Sequence, residues 1–88
     1  MAAAVETRYI EVGLPGIEVV ELEVSDGETW ISRKFSTVFG GVATGKEDVD
    51  AYINIVPGTG ANVNQVTINY AGQTDKDIIL VLVGLIGG

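Results

Sequence analysis

Hydrophobic and polar residues alternate with a period of two through most of this chain, and short clusters of Gly, Pro, Asp and Asn interrupt the alternation. In Ile17–Val24 the residues Val20, Leu22 and Val24 fall on one face and Glu21 and Glu23 on the other, the pattern of a half-buried strand. Thr7–Val12 sets Arg8, Ile10 and Val12 against Thr7, Tyr9 and Glu11, and Gly13-Leu14-Pro15-Gly16 ends it. Ser25-Asp26-Gly27 has the composition of a hairpin-type turn. Further on, Asp50–Val56 alternates Ala51, Ile53 and Ile55 with Tyr52, Asn54 and Val56. Pro57–Asn62 is loop-like, and in Gln65–Tyr70 the residues Val66, Ile68 and Tyr70 alternate with Thr67 and Asn69. The last run differs from the others. Ile78-Ile79-Leu80-Val81-Leu82-Val83 has no polar position on either face, so as a strand it needs cover on both sides.

One stretch supports two structures. Ile31, Phe35, Val38 and Phe39 recur at the spacing of a helix face, and Ser25 or Asp26 would cap such a helix. The β-branched and aromatic residues Thr29, Trp30, Ile31, Thr37 and Val38, with the Gly40-Gly41 pair, favour strands instead. They predict strands at Glu28–Ile31 and Thr37–Thr44 around an irregular turn at Ser32–Phe35, with a short helical turn over 32–39 as the alternative. Six to seven short strands separated by turn signals imply an all-β fold, a small antiparallel β-sandwich or barrel. Residues 1–6 are expected to form an N-terminal arm and residues 7–88 a single β domain. The apolar Met1–Val5 segment suits an arm laid on a neighbour, or a disordered end.

Length sharpens the problem of covering Ile78–Val83. With 88 residues, 47% of them hydrophobic, the chain builds a core, but a thin one. It has no cysteine for a disulfide and neither histidine nor cysteine for a zinc site. Among the usual reinforcements of a small domain, self-association remains. The redox compartment is left open. Met1–Val5 lacks the features of a secretory signal, and Ile78–Ile86 is far shorter than a membrane span. Twelve acidic against five basic residues, a net charge of −7, disfavour nucleic acid and anionic membranes as partners.

Chemistry-bearing patterns are sparse. Gly40–Lys46 spells the first seven positions of a phosphate-binding loop, but Glu47 occupies the position where Ser or Thr would hold magnesium. Glu47, Asp48 and Asp50, and the pair Asp75 and Asp77, offer oxygen ligands without a calcium-loop spacing, and each group includes a lysine. They read as solvated turns. A serine–lysine pair drawn from Ser25, Ser32 or Ser36 has no supporting context. No catalytic residue, cofactor or metal is expected, and an enzyme would require Glu47, Asp50 and Asp75 to converge in a cleft. Trp30, Phe35 and Phe39 are expected to supply core or subunit contacts, and Tyr52 and Tyr70 a half-exposed face or interface rim. Gly84–Gly88 is too apolar for a free tail.

Ser25-Asp26-Gly27-Glu28-Thr29-Trp30, Phe35–Thr44 and Val66–Asp75 together resemble small accessory structural proteins of tailed bacteriophage virions. The family features are a "DG-E/D-T" turn, a "TV-x-G-V" strand, which this chain approaches as Thr37-Val38-Phe39-Gly40-Gly41-Val42 with one extra glycine, a "V-T-hydrophobic" strand and a "G-x-T-D" turn before a final strand ending in glycine. These patterns span most of residues 20–88 and carry no functional residue with them. The resemblance implies a non-enzymatic head decoration or cement protein, displayed as a homo-oligomer on a capsid shell. Its partners would be itself and a major capsid or other virion protein, and its location the virion, assembled in the host cytoplasm. The alternative is a subunit of an extracellular filament or tail assembled by strand exchange, with Met1–Val12 donated to the next chain. Residues expected at oligomer or partner contacts are Val5, Tyr9, Trp30, Phe35, Phe39, Tyr52, Tyr70, Leu85 and Ile86.

Overall fold

The structure, a computed structural model, describes residues 3–10 and 12–86. Seven strands form two antiparallel sheets, with one 3-10 turn at Gly60–Asn62. The strands are β1 (Val5–Ile10), β2 (Ile17–Val24), β3 (Glu28–Ile31), β4 (Phe35–Gly45), β5 (Asn54–Pro57), β6 (Gln65–Asn69) and β7 (Lys76–Ile86). One sheet has the order β1-β2-β7-β4 and the other β3-β6-β5. Along the sides β5 packs beside β4, while Ala3 makes a parallel bridge to Thr29, so the sandwich approaches a closed barrel. Among the described residues that bridge is the one ladder contact between the sheets, so β1, β4, β3 and β5 remain edge strands.

The core lies between the sheets. Val20, Leu22 and Val24 of β2 and Ile78, Leu80 and Leu82 of β7 meet Trp30 of β3 and Val66 and Ile68 of β6. These side chains are buried because the two-residue period sends alternate positions inward. β7 lies between β2 and β4, with Val20 opposite Leu80 and Ala43 opposite Leu80 on its other side.

Phe35 to Gly45 is a strand, so the helical turn expected as the alternative over 32–39 does not form. The helix-like spacing has a different origin. The β4–β7 register shifts between Phe35 and Thr37 and again between Val38 and Gly40. Each bulge inserts one residue, which stretches the inward repeat from two to three and turns Phe35, Val38 and Gly41 toward the core. The second bulge leaves Phe39 outside.

Ser25–Gly27 does not close a hairpin, because β2 and β3 belong to different sheets. It is a corner. Gly27 has φ of 84°, and Glu28 N–H bonds to the Ser25 carbonyl at 3.1 Å. The Asp26 carboxylate accepts from Tyr70 N–H at 2.8 Å, and Gly27 N–H donates to the Ile68 carbonyl at 2.8 Å. The acidic residue and the glycine thus lock the crossing between sheets onto β6.

The N-terminal boundary also differs from expectation. Residues 3–6, expected in a detached arm, are part of the domain: Ala4 is buried, its N–H donates to the Thr29 carbonyl at 2.8 Å, and Val5 and Glu6 pair with Glu23 and Leu22. A small apolar side chain in the gap between β1 and β3 is what seals that side. Met1, Ala2, Glu11, Gly87 and Gly88, included in the expected arm, first strand and tail, lie outside the described residues.

Candidate functional site

The outer faces of the two sheets differ in character. Residues paired across a ladder point the same way, so the registers assign each face. On the three-stranded sheet the outward pairs are Thr29 with Thr67, Ile31 with Gln65, Asn54 with Asn69 and Val56 with Thr67. That face is mostly polar and suited to water.

On the four-stranded sheet, rows run across the strands. Ile10, Val19, Val81 and Val42 form one, and Ile17, Val83 and Gly40 the next. Leu85 and Thr37 follow. Among the described residues of these rows none is charged. Phe39 is 63% exposed, Val42 68%, Val83 48% and Leu85 56%. Gly40 faces outward, and a Cβ there would meet nothing within 4 Å. Its missing side chain opens a shallow groove of about 350 Å³ lined by Phe39, Gly40, Gly41, Val42, Val81 and Val83.

The opposite end of the same face is charged. Arg8, Glu21, Ile79 and Thr44 form a row, and Val5, Glu23 and Asp77 the last one. Arg8 Nε lies 2.9 Å from Glu21 Oε2, and Lys46 Nζ donates to Glu21 Oε1. The hydrogen bond from Lys46 holds the Glu21 carboxyl below its ordinary value, assisted by the Arg8 charge and opposed by burial. Beyond this trio of two cations and one carboxylate the end is acidic: Glu23 pairs with Asp77, and Glu47 accepts from Asp77 N–H at 2.8 Å.

A second polar construction lies at the edge of the core. Glu18, 1% exposed, points inward from β2. Its Oε1 accepts from Ser32 Oγ at 2.6 Å, and its Oε2 from Tyr9 Oη at 2.8 Å and Arg33 N–H at 3.0 Å. Ser32 Oγ in turn accepts from Lys34 N–H at 3.1 Å and Phe35 N–H at 2.8 Å. The Arg33 guanidinium lies 4.2 Å over the Tyr9 ring and 2.8 Å from Glu6 Oε2. One carboxylate therefore ties β1 and the β3–β4 turn to β2. Both carboxylate oxygens are occupied, by two hydroxyls and one backbone N–H, and the Ser32 hydroxyl holds two more backbone N–H groups, which makes this a structural staple.

The expected contact residues divide into three groups. Val5, Phe39, Leu85 and Ile86 are exposed, and the first three belong to the outer face of the four-stranded sheet. Tyr52, 84% exposed, stands apart beside a depression of about 590 Å³ lined also by Asp26, Asp50, Asn54 and Asn69. Trp30, Phe35 and Tyr70, at 6%, 4% and 1% exposed, are core residues and are unavailable to a partner. The Phe35 and Tyr70 side chains fill space left by small residues: a Cβ on Gly84 would lie 2.6 Å from the Phe35 ring, and one on Gly45 2.8 Å from Tyr70 Oη. Tyr9 is half-buried in the Glu18 staple.

The outer rows add Ile10, Ile17, Val19, Val42, Val81 and Val83 to the expected set. The doubly apolar run of β7 was the signal for this face, but its lateral extent depends on which strands flank β7. Glu18 was also legible: stepping back two residues from Val20 puts it on the inward side. Gly40–Gly45 is extended strand, and its glycines serve packing and the groove. Glu47 is engaged at Asp77, Asp75 N–H bonds to Ser25 Oγ at 3.0 Å, and Asp50 lines the Tyr52 depression. Among the described residues no three such side chains group closely enough to hold a metal ion, and no helix is long and apolar enough to cross a membrane. Comparison of the chain with protein-family models, with curated proteins and with solved structures finds no match.

Proposed function

We propose that this protein is a non-enzymatic structural subunit of a virion, a head decoration or cement protein that works as a homo-oligomer on a capsid shell. The observation that carries the reading is the contrast between the two outer faces. A chain of net charge −7 gathers uncharged aliphatic and aromatic side chains onto one end of the four-stranded sheet, whereas the outer face of the other sheet is mostly polar, with Ile31 and Val56 its exposed apolar residues. Contiguous apolar patches beyond a few hundred Å² on a soluble monomer mark surfaces that are covered in use. Net negative charge repels copies of the chain, so association has to be driven where the charge is absent. The virion class rests on the resemblance of the Ser25–Trp30, Phe35–Thr44 and Val66–Asp75 patterns.

The filament alternative draws less support from the geometry. Strand exchange requires an N-terminal strand that is free to leave, whereas β1 is in register with β2 and Ala4 fills the side of the barrel. Electron microscopy of the native material, with an antibody against the chain, tests the assignment. Label on the outer surface of a shell is the expected result, and label along a free fibre would replace it with the filament reading.

A further inference from the structure

The outer face of the four-stranded sheet is graded along its strands, and the gradient bears on how two copies meet. Three adjoining rows, from Val42 to Leu85, are uncharged and, Thr37 apart, apolar; the Arg8–Glu21 row is balanced; the Glu23–Asp77 end is acidic. Phe39 projects beside the groove over Gly40, so one face carries a ring and a recess side by side. A surface with both is complementary to itself under a two-fold axis. The exposed parts of Phe39, Val42, Val83 and Leu85 with the half-buried residues between them amount to on the order of 500 Å². Doubled in a pair, that reaches the roughly 1,000 Å² at which a specific interface begins.

Two face-to-face arrangements are open to such a pair. A two-fold axis along the strands would stack Glu23 and Asp77 on their own copies, with like charges opposed across the interface. An axis across the strands near Val83 reverses one sheet relative to the other, overlaps the apolar rows, and sends the acidic ends to opposite extremes. It also carries Phe39 of one copy toward the Val42 side of Gly40 in the other, into the groove. Resting on the homo-oligomer reading, we infer that this chain forms an isologous sheet-on-sheet pair about a two-fold axis crossing the strands at Val83, with each Phe39 seated over the Gly40 of the second copy.

The absence of cysteine allows a single spin label to be placed at Asp77→Cys, away from the apolar rows. Asp77 is six residues from Val83, about 20 Å along an antiparallel strand. A label-to-label distance of about 40 Å is expected. A distance under about 20 Å, near the spacing of stacked sheets, would overturn the inference in favour of an axis along the strands. An oligomer in sedimentation without such dipolar coupling would overturn it in favour of another face while leaving the homo-oligomer reading intact. A monomer would remove both. Gly40→Leu is the second probe: its Cβ enters open space, so the melting temperature is expected to hold while the groove fills and the pair dissociates. Undiminished association of a folded Gly40→Leu chain would contradict the seating of Phe39.

Discussion

Leu82 and Val83 are neighbours in β7 with opposite environments: Leu82 has no exposed surface, whereas Val83 keeps 48% of its surface in water. The two faces of this strand therefore differ, one holding the sheets together and the other meeting water. Leu82→Ala is expected to cost about 2–5 kcal/mol through lost burial and an unfilled cavity. Val83→Ala in the monomer should stay within about 0.5 kcal/mol. Denaturant unfolding at a concentration too low for association checks both values.

The Phe35 ring packs against Gly84 so closely that a methyl group cannot be inserted. A Cβ there would lie 2.6 Å from the ring and 2.5 Å from the Thr37 carbonyl oxygen. Gly84→Ala should destabilise the fold by about 1–3 kcal/mol, the usual cost of overpacking. Gly40→Ala, on the outward side of β4, should not, since glycine in a strand costs entropy and nothing stands in the way. Thermal melts of the two variants form the comparison.

Glu18 is expected to resist replacement even by its amide. Arg33 N–H can only donate, and Ser32 Oγ already accepts two backbone N–H groups, so it too must donate. A glutamine has one acceptor oxygen for the two sides, and whichever way its amide turns, one donor is left facing another. Glu18→Gln should cost about 1–3 kcal/mol. Glu23→Gln on the outer face should change little. Chemical denaturation of both variants at neutral pH provides the test.

Acid should weaken the Glu21 end of the sheet. The folded-state pKa of Glu21 lies below its ordinary value of 4.5, so the stabilisation is fully present above that pH. It is lost as pH falls through the lowered value, because the unfolded chain then binds the proton more readily. Melting temperatures of the native chain and Glu21→Gln should therefore converge below pH 4.5 and separate above it.

Much of the architecture is legible in the residues. The alternation of Val20, Leu22 and Val24, and of Val66 and Ile68, marks inward faces directly, and the doubly apolar Ile78–Val83 announces a surface in need of cover. Other features depend on partners distant in sequence. Phe35 and Val38 mimic a helix because bulges displace them, and a bulge is defined by the opposing strand. Asp26-Gly27 has the same composition in a hairpin as in a corner, and its hydrogen bonds to Tyr70 and Ile68 decide between them. Trp30, Phe35 and Tyr70 carry no mark of core or interface, and the small residues beneath Phe35 and Tyr70 receive two of those rings. The extent of the outer face is legible only once β1, β2 and β4 are known to lie beside β7.

Sedimentation equilibrium of the native chain beside Gly40→Glu, at micromolar concentration and neutral pH, tests whether the outer face of the four-stranded sheet drives self-association. A Cβ at position 40 meets open space, so the charge is set into the apolar rows without disturbing the core. A defined oligomer is expected for the native chain and a folded monomer for the variant. A native chain that stays monomeric, or a variant that associates equally well, would contradict it.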